Sequence, residues 1–359
     1  MDFTLTEDQQ ALQGLAKDIL DKECTAKHLD GLTEFFDAPL HKQLADAGLL
    51  GAALREDVGG GGLGFTELTL LLEQVGAHAA QAPVLEVLLP ALAIDRFGTD
   101  EQRQVLRDVA AGTELVVAAL TETGREDPAR PATTATLQGA STWVLSGAKS
   151  AVPLLDKASK VVVPAATATG TALFLVDGGA ATTATTTHGL PVGELHLDGT
   201  AAELLTDDAT ALGWLLDRTF AGIAATALGV SSTALRLSAA YSTSREQFGR
   251  AIATFQAVGH RLADAYIDVE GIRLTTLSAV WLLDQDLPAH DEARIAKWWA
   301  AEGGHRVAHA AQHVHGGVGI DMDYELHRYF TWSKYLEFTL GGATALALSL
   351  GATLAAEPV

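Results

Sequence analysis

The segment His313-Val314-His315-Gly316-Gly317-Val318-Gly319-Ile320, near the C-terminus, decides how this chain is read. Its glycines let main-chain N–H groups approach a ligand with no Cβ in the way, although taken alone they fit a tight turn equally well. Upstream stands Ser244-Arg245-Glu246-Gln247-Phe248-Gly249-Arg250, followed by Phe255-Gln256. Here an arginine fork can grip a pyrophosphate while Phe248 packs on a ring and Gln256 offers an amide. The same residues also read as a helix end with Gly249 as the C-cap and cations in the last turn. Downstream, Leu340-Gly341-Gly342 forms a second glycine pair, and Glu337 is the nearest carboxylate, one helical turn earlier.

Around these motifs the pattern is helical from Leu212 to the end. Leu216, Phe220, Ile223 and Ala227 share one face, and Val258, Leu262, Ala265, Val269 and Ile272 another, which predicts a four-helix bundle. His305, His309 and His313 recur every four residues, but only Glu302 accompanies them, so they read as unpaired surface or interface histidines with no metal. The first ~110 residues are also helical. A capped start at Thr6 leads into Leu12, Leu15, Ala16, Ile19 and Leu20, and the pattern returns from Phe65 to Ala77. Gly59 to Gly62 follows no strand and lacks the Lys-Ser/Thr of a phosphate loop, so it reads as a flexible turn.

Between the helical parts lie short β-rich runs: Leu115 to Leu120, Trp143 to Leu145, Lys160 to Val163, Ala172 to Val176 and Glu194 to Leu197. Asp177-Gly178-Gly179 and Asp198-Gly199 are turn sequences, which predicts an antiparallel sheet or small barrel. The Ala/Thr-rich stretch from Ala165 to Thr187 reads as a surface loop and weak strand. The expected divisions are residues 1–113, 114–210 and 211–359.

Composition narrows the function. A net charge of −21 argues against nucleic acid, which requires a basic patch. A protein this acidic must gather cations locally to hold an anionic ligand, and Arg245 with Arg250 is such a concentration. The single cysteine, Cys24, excludes an internal disulfide and a cysteine metal cage and fits a reducing cytoplasm. The N-terminus lacks a basic region followed by an apolar run, and no segment is expected to span a membrane.

In these residues the chain resembles the acyl-CoA dehydrogenase family, whose C-terminal half carries Arg-x-x-Phe-Gly, then Gln-x-x-Gly-Gly-x-Gly, then the catalytic Glu-Gly-Thr. The resemblance implies an α+β fold: an N-terminal helical domain, a middle antiparallel β-barrel domain and a C-terminal four-helix bundle. It implies FAD as cofactor, with Arg245, Phe248, Gln256, His313, Gly316 and Gly317 as contacts to a neighbouring subunit's FAD, and His313 standing where the family has glutamine. It further implies α,β-desaturation of an acyl-CoA, a carboxylate taking the α proton and flavin the β hydrogen, with electron-transfer flavoprotein as acceptor.

The sequence departs from the family on its own flavin face. Leu340 stands at the base position and cannot accept a proton, and Thr219 stands at the alternative base position on the first bundle helix. The family loop Thr-Glu-Pro-Gly-x-Gly-Ser-Asp is here Thr121-Glu122-Thr123-Gly124-Arg125-Glu126-Asp127, and the flavin-lining Trp-Ile-Thr is Ala151-Val152-Pro153. Proline has no N–H to donate. Arg55-Glu56-Asp57-Val58-Gly59-Gly60 matches a turn that is structural in the family.

Retention beside a neighbour's cofactor and loss on the chain's own face resemble the non-catalytic subunits of actinobacterial α2β2 acyl-CoA dehydrogenases of sterol side-chain degradation. That implies a cytoplasmic heterotetramer with a homologous catalytic subunit, active in β-oxidation of a steroid side-chain CoA. Two alternatives stay open: a complete homo-oligomeric dehydrogenase using Glu337 as a displaced base, and a catalytically dead scaffold on the same fold.

Overall fold

A computed structural model describes residues 3–125, 127–139 and 142–356. The chain opens with helices α1 (Glu7–Glu23), α2 (Ala26–Gly31), α3 (Ala38–Asp46), α4 (Phe65–Ala77), α5 (Val84–Phe97) and α6 (Val105–Ala110). Strands follow: β1 (Val116–Ala118), β2 (Thr134–Gln138), β3 (Thr142–Pro153), β4 (Lys160–Thr167), β5 (Gly170–Asp177), β6 (Thr182–Thr185) and β7 (Pro191–Thr206). Then come α7 (Ala211–Ser244), a hairpin of β8 (Glu246–Gln247) and β9 (Arg250–Ala251), α8 (Gln256–Asp284), α9 (His290–His315), α10 (Leu326–Phe338) and α11 (Ala343–Ala356). Contacts sort the chain into two compact units. One holds the residues up to Gly31, Thr69–Ala80 and all from Phe220 onward; the other holds Leu32–Leu68 and Gln81–Thr219.

In the helical unit, α1 starts on a complete capping box. Thr6 Oγ1 accepts from the Gln9 N–H at 3.2 Å, and Gln9 Oε1 accepts from the Thr6 N–H at 3.0 Å. Helices α4 and α7 meet backbone to backbone, because a Cβ at Gly76 would lie 2.0 Å from the Thr226 carbonyl oxygen and one at Gly229 2.0 Å from that of Glu73. Ala77 then receives hydroxyl bonds from Thr233 (2.9 Å) and Tyr329 (3.0 Å), which tie α4 to α7 and α10. Arg306 on α9 grips the buried Asp268 of α8 with two donors, Nε at 2.9 Å.

The other unit contains the barrel. The order β4-β2-β3-β7-β5 closes because β5 also pairs with β4, and β1 extends the β4 edge. Val161, Val162, Val163, Phe174 and Leu145 are buried in it. Pairing is antiparallel except where β4 meets β1 and β2.

Several sequence expectations are corrected here. Within Ala165–Thr187 the expected run Ala172–Val176 is β5, β6 is a short and mostly exposed strand, and the start of the stretch is the end of β4, so more of it is strand than loop. Asp198-Gly199 lies inside β7, where Thr200 pairs with Leu145 and Asp198 with Ser146, so Gly199 is the extra residue of a bulge and not a hairpin turn. Asp177-Gly178-Gly179 leads to β6, which pairs with β7. Gly59–Gly62 is tied down, since the amides of Gly60, Gly61 and Gly62 donate to Arg55, Gly51 and Leu54. Two helical stretches, Ala211–Ser244 and Leu326–Ala356, have the length and composition to cross a membrane by that measure alone; the first is mostly buried within the protein, as a core helix is.

In the barrel unit His41 on α3 is 1 % exposed, neither ring nitrogen has a partner, and Phe36 meets it edge-on at 5.3 Å. Burial lowers its pKa to about 4. Unfolded chains take up this proton below about pH 6.5, so between pH 6.5 and 4 the unfolded state binds more protons and stability falls as pH falls. His41→Leu should remove about 3 kcal/mol of that acid dependence. Urea unfolding at pH 7 and pH 4.5 checks this; equal pH slopes in both proteins would contradict it.

Candidate functional site

The hairpin after α7 is not a capped helix end. Its turn is Phe248-Gly249, both left-handed at φ 54° and 76°, as a two-residue hairpin turn requires. Glycine takes this conformation freely, but a bulky phenylalanine takes it at a cost of order 1–3 kcal/mol. Phe248 is nevertheless 93 % exposed, with only the edge of Phe255 near it at 6.2 Å. Arg250 stacks its guanidinium over Phe255 at 4.2 Å, and the Arg245 carbonyl accepts from the Ile252 N–H at 2.8 Å. Gln256 opens α8 in solvent, 3.3 Å from the ring of His260. Phe248 is thus strained and almost fully exposed at the tip of the hairpin.

The glycine segment lies against the root of the same hairpin. His315 is buried and stacks on Tyr241 of α7 at 4.4 Å, while its ring nitrogens reach the Ala311 carbonyl (2.9 Å) and Tyr324 Oη (3.1 Å). Burial lowers its pKa, so it stays a neutral spacer. Gln312 latches the turn: its amide N donates to the Gly319 carbonyl at 3.1 Å and its O accepts from the Ile320 N–H at 3.0 Å. His313, Gly316 and Gly317 are left facing solvent. The sequence missed Tyr241, Gln312 and Tyr324, whose only signal was aromatic and amide residues flanking the two motifs.

The third region is the turn after α10. Leu340 is left-handed, φ 56°, and buried, and Gly341 follows at φ 106°. Lys297 of α9 is fully buried and its ammonium donates to the carbonyls of Glu337 (3.1 Å) and Gly341 (3.0 Å). Burial, partly offset by Glu337, lowers its pKa to about 7. Glu337 is only 9 % exposed, and it accepts from Lys334 (2.8 Å) and His305 (3.1 Å). His305 is therefore paired, with His309 beside it at 4.3 Å. Helix burial on α9 set this, which spacing alone does not reveal. Among the described residues no three His, Cys, Asp or Glu side chains could share a metal ion. Thr219, in the barrel unit, bonds its hydroxyl back to the Leu215 carbonyl at 2.7 Å.

In that unit the Thr121 loop is braced internally; Glu126 lies outside the described residues. The Ser150 N–H donates to Thr121 O at 2.9 Å. Glu122 accepts from Lys149 (2.6 Å), Thr133 Oγ1 (2.7 Å), the Thr133 N–H (3.0 Å) and the Ala132 N–H (2.6 Å). Burial pushes the carboxyl up, but these four donors win and bring it down to about 2. Lys149, 1 % exposed, is lowered by burial, with Glu122 opposing. Ala151 is left-handed at φ 51°, where the pairing of β3 with β7 slips between Lys149 and Val152. The half-open cleft here measures about 210 Å³.

Comparison with known proteins agrees with this geometry. Residues 6–113 match the acyl-CoA dehydrogenase N-terminal domain and residues 210–353 its C-terminal domain. Acyl-CoA dehydrogenase FadE27 of Mycobacterium tuberculosis is 42% identical over 100% of both chains. The chain belongs to the acyl-CoA dehydrogenase family. Among solved structures, a steroid ACAD variant, Tcur3481-Tcur3483, shares 43% identity and a TM-score of 0.94 over 98% of this chain and 99% of its own. The ChsE4-ChsE5 complex from Mycobacterium tuberculosis shares 40% identity and a TM-score of 0.92 over 100% of both.

The acyl-CoA dehydrogenase fold, helical at both ends with a β domain between, is thus that of an FAD-dependent oxidoreductase family. Against that background the Glu122–Lys149 pair is a brace inside the barrel wall, with four donors of the protein itself bonded to the carboxylate. Lys149→Met should destabilise the protein by about 3 kcal/mol or more, because it strands a buried carboxylate. Adding Glu122→Gln should recover part of that loss, a coupling that a double-mutant cycle in urea measures; strictly additive losses would rule the brace out.

Proposed function

We propose that this acyl-CoA dehydrogenase is the non-catalytic subunit of a heteromeric enzyme that desaturates a steroid side-chain CoA thioester, and that it completes the FAD site of a homologous catalytic subunit. The observation that carries this reading is a contrast. The hairpin holds Phe248 exposed in a strained conformation between Arg245 and Arg250, whereas the turn at the base position buries Leu340, which accepts no proton.

In this reading Arg245 grips the pyrophosphate of the partner's FAD, Phe248 packs on its rings, and Gln256, His313, Gly316 and Gly317 supply polar and main-chain contacts. The cofactor brings the hydride acceptor when bound; this chain's residues bind and orient it. The solved relatives Tcur3481-Tcur3483 and ChsE4-ChsE5 support a partner of the same family. A flavoprotein would take the electrons, and we infer a cytoplasmic setting with the family.

The residues fit this role better than an FAD site of the chain's own. The cleft of about 210 Å³ is smaller than the roughly 300 Å³ at which ligand pockets begin, Pro153 has no N–H, and Glu122 already accepts four hydrogen bonds from the protein itself. Glu337 is a poor substitute base, because Lys334 and His305 already occupy its oxygens.

Expressed alone, the chain should hold little FAD; a stoichiometric yellow protein would refute the reading. In the assembled heteromer, Arg245→Ala should weaken FAD binding about ten- to a hundredfold, the loss of one charge-assisted hydrogen bond, and flavin fluorescence after dilution reads this out. Glu337→Gln should leave turnover of a CoA thioester with an artificial electron acceptor nearly unchanged. A fall of ~10²-fold with FAD still bound would make Glu337 the base.

A further inference from the structure

Arg294, in the second turn of α9, is 8 % exposed, and its Nη1 is wholly buried with no hydrogen-bond partner. No ion pair or ring stacks on it among the described residues. Buried guanidinium groups are ordinarily paired, and one left unpaired calls for an anion that the described residues do not provide.

Its surroundings sharpen the requirement. Lys297, one turn later on the same face, is already bonded to two carbonyls and adds to the positive potential. Glu337, the carboxylate of that corner, is shared by Lys334 and His305. Asp291, one turn before Arg294, has a buried Oδ1 that also lacks a partner, and it forms no bridge to Arg294. Asp291 is only partly buried, so the pair opens to solvent at its rim.

A buried donor and a buried acceptor three residues apart on a helix, with no bond between them, match a ligand that carries both an anionic oxygen and a hydroxyl. We propose that Arg294 and Asp291 form a binding site for a hydrogen-phosphate group. Arg294 donates to an anionic oxygen, and Asp291 accepts from the P–OH. Sulfate, fully ionised at neutral pH, offers no such hydroxyl and would meet the Asp291 carboxylate as a repelling charge. The site lies apart from the hairpin and the glycine segment and does not rest on the non-catalytic reading.

The test is thermal unfolding of the purified chain, and of its complex with the partner subunit, in inorganic phosphate or sulfate at constant ionic strength. Phosphate at roughly ten times its dissociation constant should raise the midpoint by about 2 °C or more, sulfate should raise it less, and Arg294→Met should abolish the phosphate response. Arg294→Lys, which keeps the charge, should retain part of it, and Asp291→Asn should bring sulfate level with phosphate. Equal phosphate and sulfate responses in the wild type, or a response unchanged in Arg294→Met and Arg294→Lys, overturns the site. So does an Arg294→Met protein that weakens subunit assembly without any phosphate response, which would make Arg294 a contact for a partner's carboxylate.

Discussion

A lysine ammonium held away from water organises the C-terminal half of this protein. Lys297 has no exposed surface, and its hydrogen bonds run to the carbonyls of Glu337 and Gly341, at the frayed end of α10 and in the turn before α11. Helix C-termini present unsatisfied carbonyls with partial negative charge, so a cation there is favourable even at some desolvation cost. The turn it secures holds Leu340 in a left-handed conformation that leucine does not choose on its own. The clamp spans the break between α10 and α11, where Leu340 is buried and Glu337 sits between Lys334 and His305.

The barrel unit solves a similar problem with the opposite sign. Glu122 is a buried carboxylate whose oxygens are filled by Lys149, Thr133 and Ala132. The Thr121 loop is thereby tied to β3, through the Glu122–Lys149 pair and the Ser150 N–H. The hairpin of β8 and β9 is the reverse case: its backbone is strained, its aromatic is exposed, and its arginines belong to the surface.

Much of this was legible beforehand. The capping box at Thr6, the helix from Phe65 and the apolar faces of α7 rest on local rules, hydrogen bonding to the first turn and a period near four, that a sequence displays directly. The central strands were found wherever branched and aromatic residues clustered. β2, rich in threonine and alanine, was missed because its partners, not its composition, make it a strand. Gly199 was misread for the same reason: a bulge and a turn share residues and differ only in what lies across the sheet.

By itself the sequence determined the family, the order of helical and β segments, and the residue types at the motif positions, because these depend on neighbours along the chain. Only the tertiary structure decided that Glu337 is enclosed, that Glu122 is spent on Lys149, that Phe248 is strained and unpacked, and that Arg294 is buried without a partner. Burial and pairing belong to groups brought together from distant positions, and the cost of a charge or a dihedral angle is set by the groups that surround it in space.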